Sequence, residues 1–188
     1  VLDAGHGGFD PGAVTESGIE EKTINLQITL ELATLLREAG MEVILTREED
    51  VALADNKKDD MAKRVQIGQE SDCDLFLSIQ ANKYTTANER GCQVFFHPKS
   101  AESKQLAECI QGEMSRLLKN TRRKSMALDS SYLLRKLEMP TAIVEVGFIS
   151  HPEEAALLQD HFYQEEVAWS IYSGIIQYFV LTEEKSDV

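Results

Sequence analysis

Short apolar runs of strand length alternate with stretches of helical periodicity along the whole chain, and this alternation limits the possible folds more than any other feature. Val1 to Ala4 is apolar and runs into Gly5-His6-Gly7-Gly8, so a strand enters a tight loop. Ile24, Ile28, Leu32, Leu35 and Ala39 recur at helical spacing and predict a helix over 21–39, stopped by Gly40. Strands are expected at Met41 to Thr46, at Leu75 to Ile79 (apolar enough to be buried on both faces) and at Cys92 to Phe96, nearer an edge. A further, strongly apolar strand follows Pro140 at Thr141 to Val146. Helices are expected at 60–70, at 101–119, after Pro152, and at 164–180, where Val167, Ile171, Ile175 and Tyr178 share a side. The order implies an α/β fold, a single domain with a largely parallel twisted sheet flanked by helices. In such sheets sites form where strands give way to loops, here just after residues 4, 79 and 146.

The 188 residues suit one domain over 1–181 and a polar C-terminal tail over 182–188 that is expected to fray. No apolar run approaches the roughly 20 residues of a membrane span, and no leader is visible. The chain opens abruptly on Val1-Leu2-Asp3, which reads as the end of a strand, so a preceding segment carrying any targeting sequence is expected. A net charge of −13 argues against nucleic acid as the main partner, because phosphate binding needs clustered Lys and Arg. Arg122-Arg123-Lys124 is the basic exception and reads as a solvated turn. Cys73, Cys92 and Cys109 are odd in number and lack CxxC spacing, so they read as buried thiols rather than a disulfide framework or zinc knuckle.

Four residues stand out chemically. His6 sits among three glycines after a strand, in a loop that can turn tightly and leave the imidazole accessible, although a lone histidine is more often structural. At about 100° per residue, Glu21 lies within about 20° of the centre of the first helix's apolar stripe, and Glu20 about 80° away. A carboxylate at a helix start favours the dipole, which explains Glu20 better than an inward Glu21. Glu145 lies inside the apolar run Ala142-Ile143-Val144-Glu145-Val146-Gly147-Phe148. There it must pair with a cation or metal-bound water, or face a cleft, and burial would raise its pKa toward the range of a general base. A structural salt bridge is the alternative. Gln80 ends the third strand on the face of Phe76 and Ser78, by itself only a polar group at a strand end.

Taken in order, Asp3-Ala4-Gly5-His6-Gly7-Gly8 with Asp10-Pro11-Gly12, Glu21-Lys22, Leu45-Thr46-Arg47, the Arg64 helix, Ser78-Ile79-Gln80-Ala81-Asn82, Arg90-Gly91, Leu134-Arg135, Met139-Pro140 and Val144-Glu145-Val146-Gly147-Phe148 resemble the zinc-dependent N-acetylmuramoyl-L-alanine amidases of bacterial cell walls. The similarity runs from residue 1 to about 180. It implies a zinc ion on His6 and Glu21, with Glu145 as the catalytic glutamate. The implied reaction cleaves the amide between muramic acid and L-alanine of the stem peptide in peptidoglycan. Three protein ligands leave zinc a position for water, whose pKa falls to around 7. Glu145 would take that water's proton and pass it to the leaving amine. Arg90, Arg135 and Asn82 are candidate substrate contacts, surface or structural roles being the alternative for the arginines.

The departure is Gln80, where the family's third ligand is a histidine. A carboxamide oxygen suits zinc less well than imidazole. Structural zinc sites bind with roughly 10–16 kcal/mol over four ligands, so one lost ligand corresponds to about 3 kcal/mol, or about a hundredfold in affinity. His97, His151 and His161 show no spacing that makes them substitutes. The site is then deliberately disabled, naturally weak and completed by an activating protein partner, or dead. Competing readings are a peptidoglycan-binding protein without turnover and a metallopeptidase acting on other amides. With no wall-binding repeat in this sequence, the chain resembles the single-domain amidases that mature spore cortex. That implies an extracytoplasmic place in the wall or developing spore, with which three cysteines agree poorly unless the surroundings are anaerobic.

Overall fold

A computed structural model of the chain describes residues 1–86 and 88–186. The elements are β1 (Leu2–Ala4), α1 (Glu21–Glu38), α2 (Lys57–Glu70), β2 (Phe76–Asn82), β3 (Gln93–Phe96), α3 (Ala101–Leu118), β4 (Met126–Ala127), α4 (Tyr132–Lys136), β5 (Thr141–Phe148), α5 (Pro152–Leu157) and α6 (His161–Ser186). The sheet order is β1-β2-β5-β3-β4. The β1–β2, β2–β5 and β3–β4 pairs are parallel and β3–β5 is antiparallel, so the expected largely parallel α/β sheet is present.

Strand alternation splits the sheet into two faces. Leu77, Ile79, Val94, Ala142 and Val144 pack against Ile24, Ile28 and Leu32 of α1, Leu106 and Ile110 of α3, and Val167, Ile171 and Ile175 of α6. Phe76 faces the other way, onto Val65 of α2 and Leu133 and Leu137 of α4 and its C-cap, a smaller cluster. Ser78, Gln80, Ile143 and Glu145 share that second face, at the ends of the two central strands. A cavity opens there, lined by Gln80 and Glu145 together with Met61 of α2 and Tyr132 and Leu133 of α4.

Several boundaries differ from expectation. Residues 41–46 do not form a regular strand. They run beside β1 through one bridge, Leu2 to Leu45, flanked by Leu2 N–H to Ile44 O (2.9 Å) and Thr46 N–H to Leu2 O (3.0 Å). β1 is only three residues long, and Thr46 and Arg47 turn inward immediately afterwards, so no longer ladder can form. α2 starts earlier, at Lys57, because Asn56 caps it by accepting from Asp59 N–H at 3.0 Å. The expected frayed tail is helical through Ser186, with Thr182 Oγ1 donating back to Phe179 O at 2.8 Å; residues 187–188 lie outside the described residues. Arg123 is not simply a solvated turn residue: its guanidinium lies 5.1 Å from the Phe148 ring centroid, and it pairs with Glu89. All three cysteines are free, Cys92 and Cys109 buried and Cys73 partly so. Among the described residues no helix is long and apolar enough to cross a membrane.

Candidate active site

The loop after β1 is held from below by buried charge. Asp3, fully buried, accepts from Arg64 Nη1 (2.5 Å), Thr46 Oγ1 (2.7 Å) and Ser78 Oγ (2.6 Å). Arg64 also donates to Ala4 O (2.8 Å) and His6 O (2.7 Å), and Arg47 donates to Ala4 O (2.9 Å) and Gly5 O (3.0 Å). Two guanidiniums thereby satisfy the carbonyls of a chain that has left its sheet partner. His6 itself has φ 62°, a left-handed conformation rare outside glycine, and this network holds it there.

His6 Nδ1 is 2.8 Å from Asp10 Oδ2, and Nε2 is 3.3 Å from Glu21 Oε1. Burial disfavours the imidazolium, but Glu21 and Asp10 outweigh it and raise the His6 pKa. Burial likewise acts against the Asp10 carboxylate, yet Lys57, His6 and the Gly12 N–H hold it down at about 2. Glu21 is buried, as its angle on the apolar stripe requires, and Glu20 is half exposed. Loop carbonyls receive the first N–H groups of α1, Glu21 to Ala13 O (2.9 Å) and Lys22 to Pro11 O (3.2 Å), which fixes where the helix starts. Glu21 Oε2 accepts from Ala13 N–H (2.8 Å) and Oε1 from Ala81 N–H (3.2 Å). Gly12 has to be glycine here: a Cβ would fall 2.6 Å from Glu21 Oε2 and 2.7 Å from His6 Cδ2.

Gln80 and Glu145 face each other across the β2–β5 ladder. Gln80 Nε2 donates to Ser78 Oγ at 2.9 Å, and Oε1 accepts from Asn25 Nδ2 at 3.4 Å. Glu145 Oε2 is buried without a hydrogen-bond partner. Burial, reinforced by the charge of Glu21, pushes the Glu145 pKa up to about 8, with His6 opposing.

His6, Glu21, Gln80, Asn82 and Glu145 line one cavity of about 280 Å³, together with Met61, Lys83 and Tyr132 among others. Arg90 and Arg135, expected as substrate contacts, are exposed and do not line it. Arg135 donates to its own helix cap at Ser131 O (3.3 Å), and Arg90 O is held by Arg123 (3.2 Å). The other histidines are elsewhere: His151 caps α5, His97 accepts from Lys99 N–H, and His161 lies at the surface near Glu31 and Glu165. Lys83 and Tyr132 were not anticipated, and their sequence surroundings carry no signal for them. Asp10 could have been found, since it follows His6 by four residues inside the same glycine-rich loop.

The donors fit zinc unevenly. A histidine whose second nitrogen is fixed by a carboxylate is a common metal-ligand arrangement, and Glu21 supplies an oxygen beside it. Gln80 offers a carboxamide oxygen, a weak donor already shared with Asn25. Among the described residues no group of three or more His, Cys, Asp and Glu side chains could hold a metal ion. The described residues therefore offer two good ligands and one poor one, short of the three protein ligands of a zinc site with an open position.

A histidine in the loop after β1, a glutamate at the start of α1 and a buried glutamate on β5 thus line one cavity. Residues 1–177 match the N-acetylmuramoyl-L-alanine amidase family, and the chain belongs to that family of peptidoglycan amidases. It is 40% identical over 194 residues to the germination-specific N-acetylmuramoyl-L-alanine amidase of Bacillus subtilis strain 168, covering 99% of this chain and 80% of that protein. The CwlD amidase of Clostridioides difficile, solved in complex with the GerS lipoprotein, superposes with a TM-score of 0.92 at 38% identity over 96% of this chain and 97% of that one. The catalytic domain of CwlV from Bacillus (Paenibacillus) polymyxa var. colistinus follows the same fold, with a TM-score of 0.85 at 30% identity over 95% of this chain and 96% of its own.

Proposed function

We propose that this chain cleaves the amide between the lactyl group of muramic acid and L-alanine of the stem peptide, using zinc held by His6, Glu21 and, weakly, Gln80. The observation that carries the reading is Glu145, a carboxylate in an apolar strand with an unpartnered oxygen at the same cavity as His6 and Glu21. Zinc at such a cradle supplies Lewis acidity toward the scissile carbonyl and acidifies water. Asp10 holds the proton on His6 Nδ1, which leaves Nε2 as the donor atom. Glu145, its pKa raised by burial, would accept a proton from the attacking water and deliver it to the departing alanine nitrogen. Lys83 and Asn82, which also line the cavity, would meet polar groups of the stem peptide.

Gln80 weakens this activity, and a partner protein restores it; support comes from the C. difficile relative, which was solved with a lipoprotein bound. Similarity to a germination-specific amidase supports a place in spore cortex maturation, outside the cytoplasm. Peptidoglycan fragments incubated with the protein and zinc, then analysed by mass spectrometry for stem peptides with a free N-terminal alanine, test the reaction. Slow release by the parent and faster release by Gln80→His support it. If Gln80→His binds zinc yet releases no peptide, the chain is a peptidoglycan-binding protein instead. That second reading is favoured by the lack, among the described residues, of a three-residue His, Cys, Asp and Glu group able to hold a metal.

A further inference from the structure

A groove of about 630 Å³ adjoins the cavity of Glu145, walled by the loop between β1 and α1, the loop after β2 and the start of α5. Lys83 lines both spaces, and its Nζ donates to Val14 O at 3.2 Å, tying two of the walls together. The walls hold themselves in place. Val14 bridges Glu20, Thr15 N–H donates to Ile19 O at 3.0 Å, and Thr15 Oγ1 accepts from Ile19 N–H at 2.9 Å, so this loop closes as a hairpin. Tyr84 N–H donates to Ser150 Oγ at 3.0 Å, which pins the loop after β2 to the turn after β5. A groove formed in advance of its ligand is what a binding site requires.

The lining decides what the groove takes. Tyr84 is 54% exposed and Val14 37%, so an aromatic ring and an aliphatic side chain stand open to solvent in the walls. Thr15, Ser17, Ser150 and Gln159 add hydroxyls and an amide. Charge is sparse: among the described residues that line the groove, only Glu16 and Lys83 carry it. A stem peptide carries several carboxylates and calls for arginine or lysine, so one lysine offset by one glutamate suits it poorly. The glycan strand is uncharged where its lactyl carboxyl is taken up in the amide. Its sugars offer C–H faces to an aromatic ring, and hydroxyl and acetamido groups to short polar side chains.

We propose that this groove is a glycan subsite, in which Tyr84 stacks on a sugar ring of the strand whose muramic acid presents its amide to Glu145. The inference rests on the peptidoglycan amidase reading above, but not on a metal, and its test is made without one.

Two ligands are titrated calorimetrically into the full chain in EDTA. One is a muramoyl peptide with a single sugar; the other is a trisaccharide that flanks the same muramoyl peptide with N-acetylglucosamine on both sides. The parent is expected to bind the trisaccharide roughly tenfold more tightly than the single-sugar ligand. Tyr84→Ala is expected to abolish that advantage and leave the single-sugar affinity unchanged, while Tyr84→Phe keeps it. Ala156→Gln, which narrows the groove from an exposed position on α5, is expected to cause the same selective loss and stands in if Tyr84→Ala lowers the thermal midpoint. A loss of equal size with both ligands would put the peptide in the groove and overturn the proposal. So would a parent that binds both ligands alike, with the amidase reading left intact. If the parent binds neither ligand, the peptidoglycan reading fails and this inference fails with it.

Discussion

Glu145 and Gln80 are paired residues on adjacent strands, and their surroundings treat them differently. Gln80 is satisfied at both ends of its carboxamide, by Ser78 and Asn25, and packs so closely on the loop that a Cβ at Gly5 would lie 2.0 Å from its Nε2. Glu145 has nothing to pair with at Oε2. Glu145→Gln is expected to reduce peptide release by roughly 10²–10⁴-fold, the usual contribution of a positioned general base, with zinc content unchanged. A variant that keeps the parent's rate in the mass-spectrometric assay would remove Glu145 from the mechanism. Gln80→His is expected to raise zinc affinity by about a hundredfold, about 3 kcal/mol, measured by chelator competition. An unchanged affinity would mean that position 80 does not reach the metal.

At the scale of elements, the helices and central strands were legible because each has a strong period and a stop signal. α1 ends where Gly40 takes φ 83°, and β2 is buried on both faces along its apolar run. The strand expected at 41–46 failed because pairing depends on its neighbour, and β1 offers too few residues. β4 and α4, two and five residues long, have no period to read. In the candidate site, His6 and Glu21 were legible from a glycine-rich loop and a helical angle, and Glu145 from a charge in an apolar strand. Asn25 and the Asp3–Arg64 pair were not, because one sits unremarkably in a helix and the other joins residues 61 apart in sequence. The α3–α6 crossing hid a further constraint: a Cβ on Gly174 would fall 2.5 Å from Ile110 Cα. Since the neighbour is backbone, Gly174→Ala must spread the two helices. It is expected to destabilise the protein by about 1–3 kcal/mol despite alanine's better helix propensity. A urea midpoint at or above the parent's would contradict that crossing.

For the whole molecule, the cavity sets how stability depends on pH, because its titratable groups are perturbed in different directions. Asp10, lowered from 3.8 to about 2, contributes stability that is complete above its unfolded pKa and lost as pH falls through about 2. Glu145, raised from 4.5 to about 8, acts in the opposite sense. Between those values the folded state binds more protons than the unfolded one, so stability falls as pH rises. His6, also raised, contributes fully below its unfolded value of 6.5 and loses that contribution as pH climbs through its folded value. Between pH 5 and 6.5 the Glu145 effect acts, and from 6.5 toward 8 the His6 effect is added to it. The EDTA-treated protein is therefore expected to lose urea resistance steadily from pH 5 to 8. Glu145→Gln removes the part of that slope due to Glu145 and leaves the part due to His6, so the variant's midpoint should overtake the parent's toward pH 8. Parallel midpoint profiles for the two proteins would show that the Glu145 carboxylate is not held in the buried, unpartnered state on which its role as a base depends.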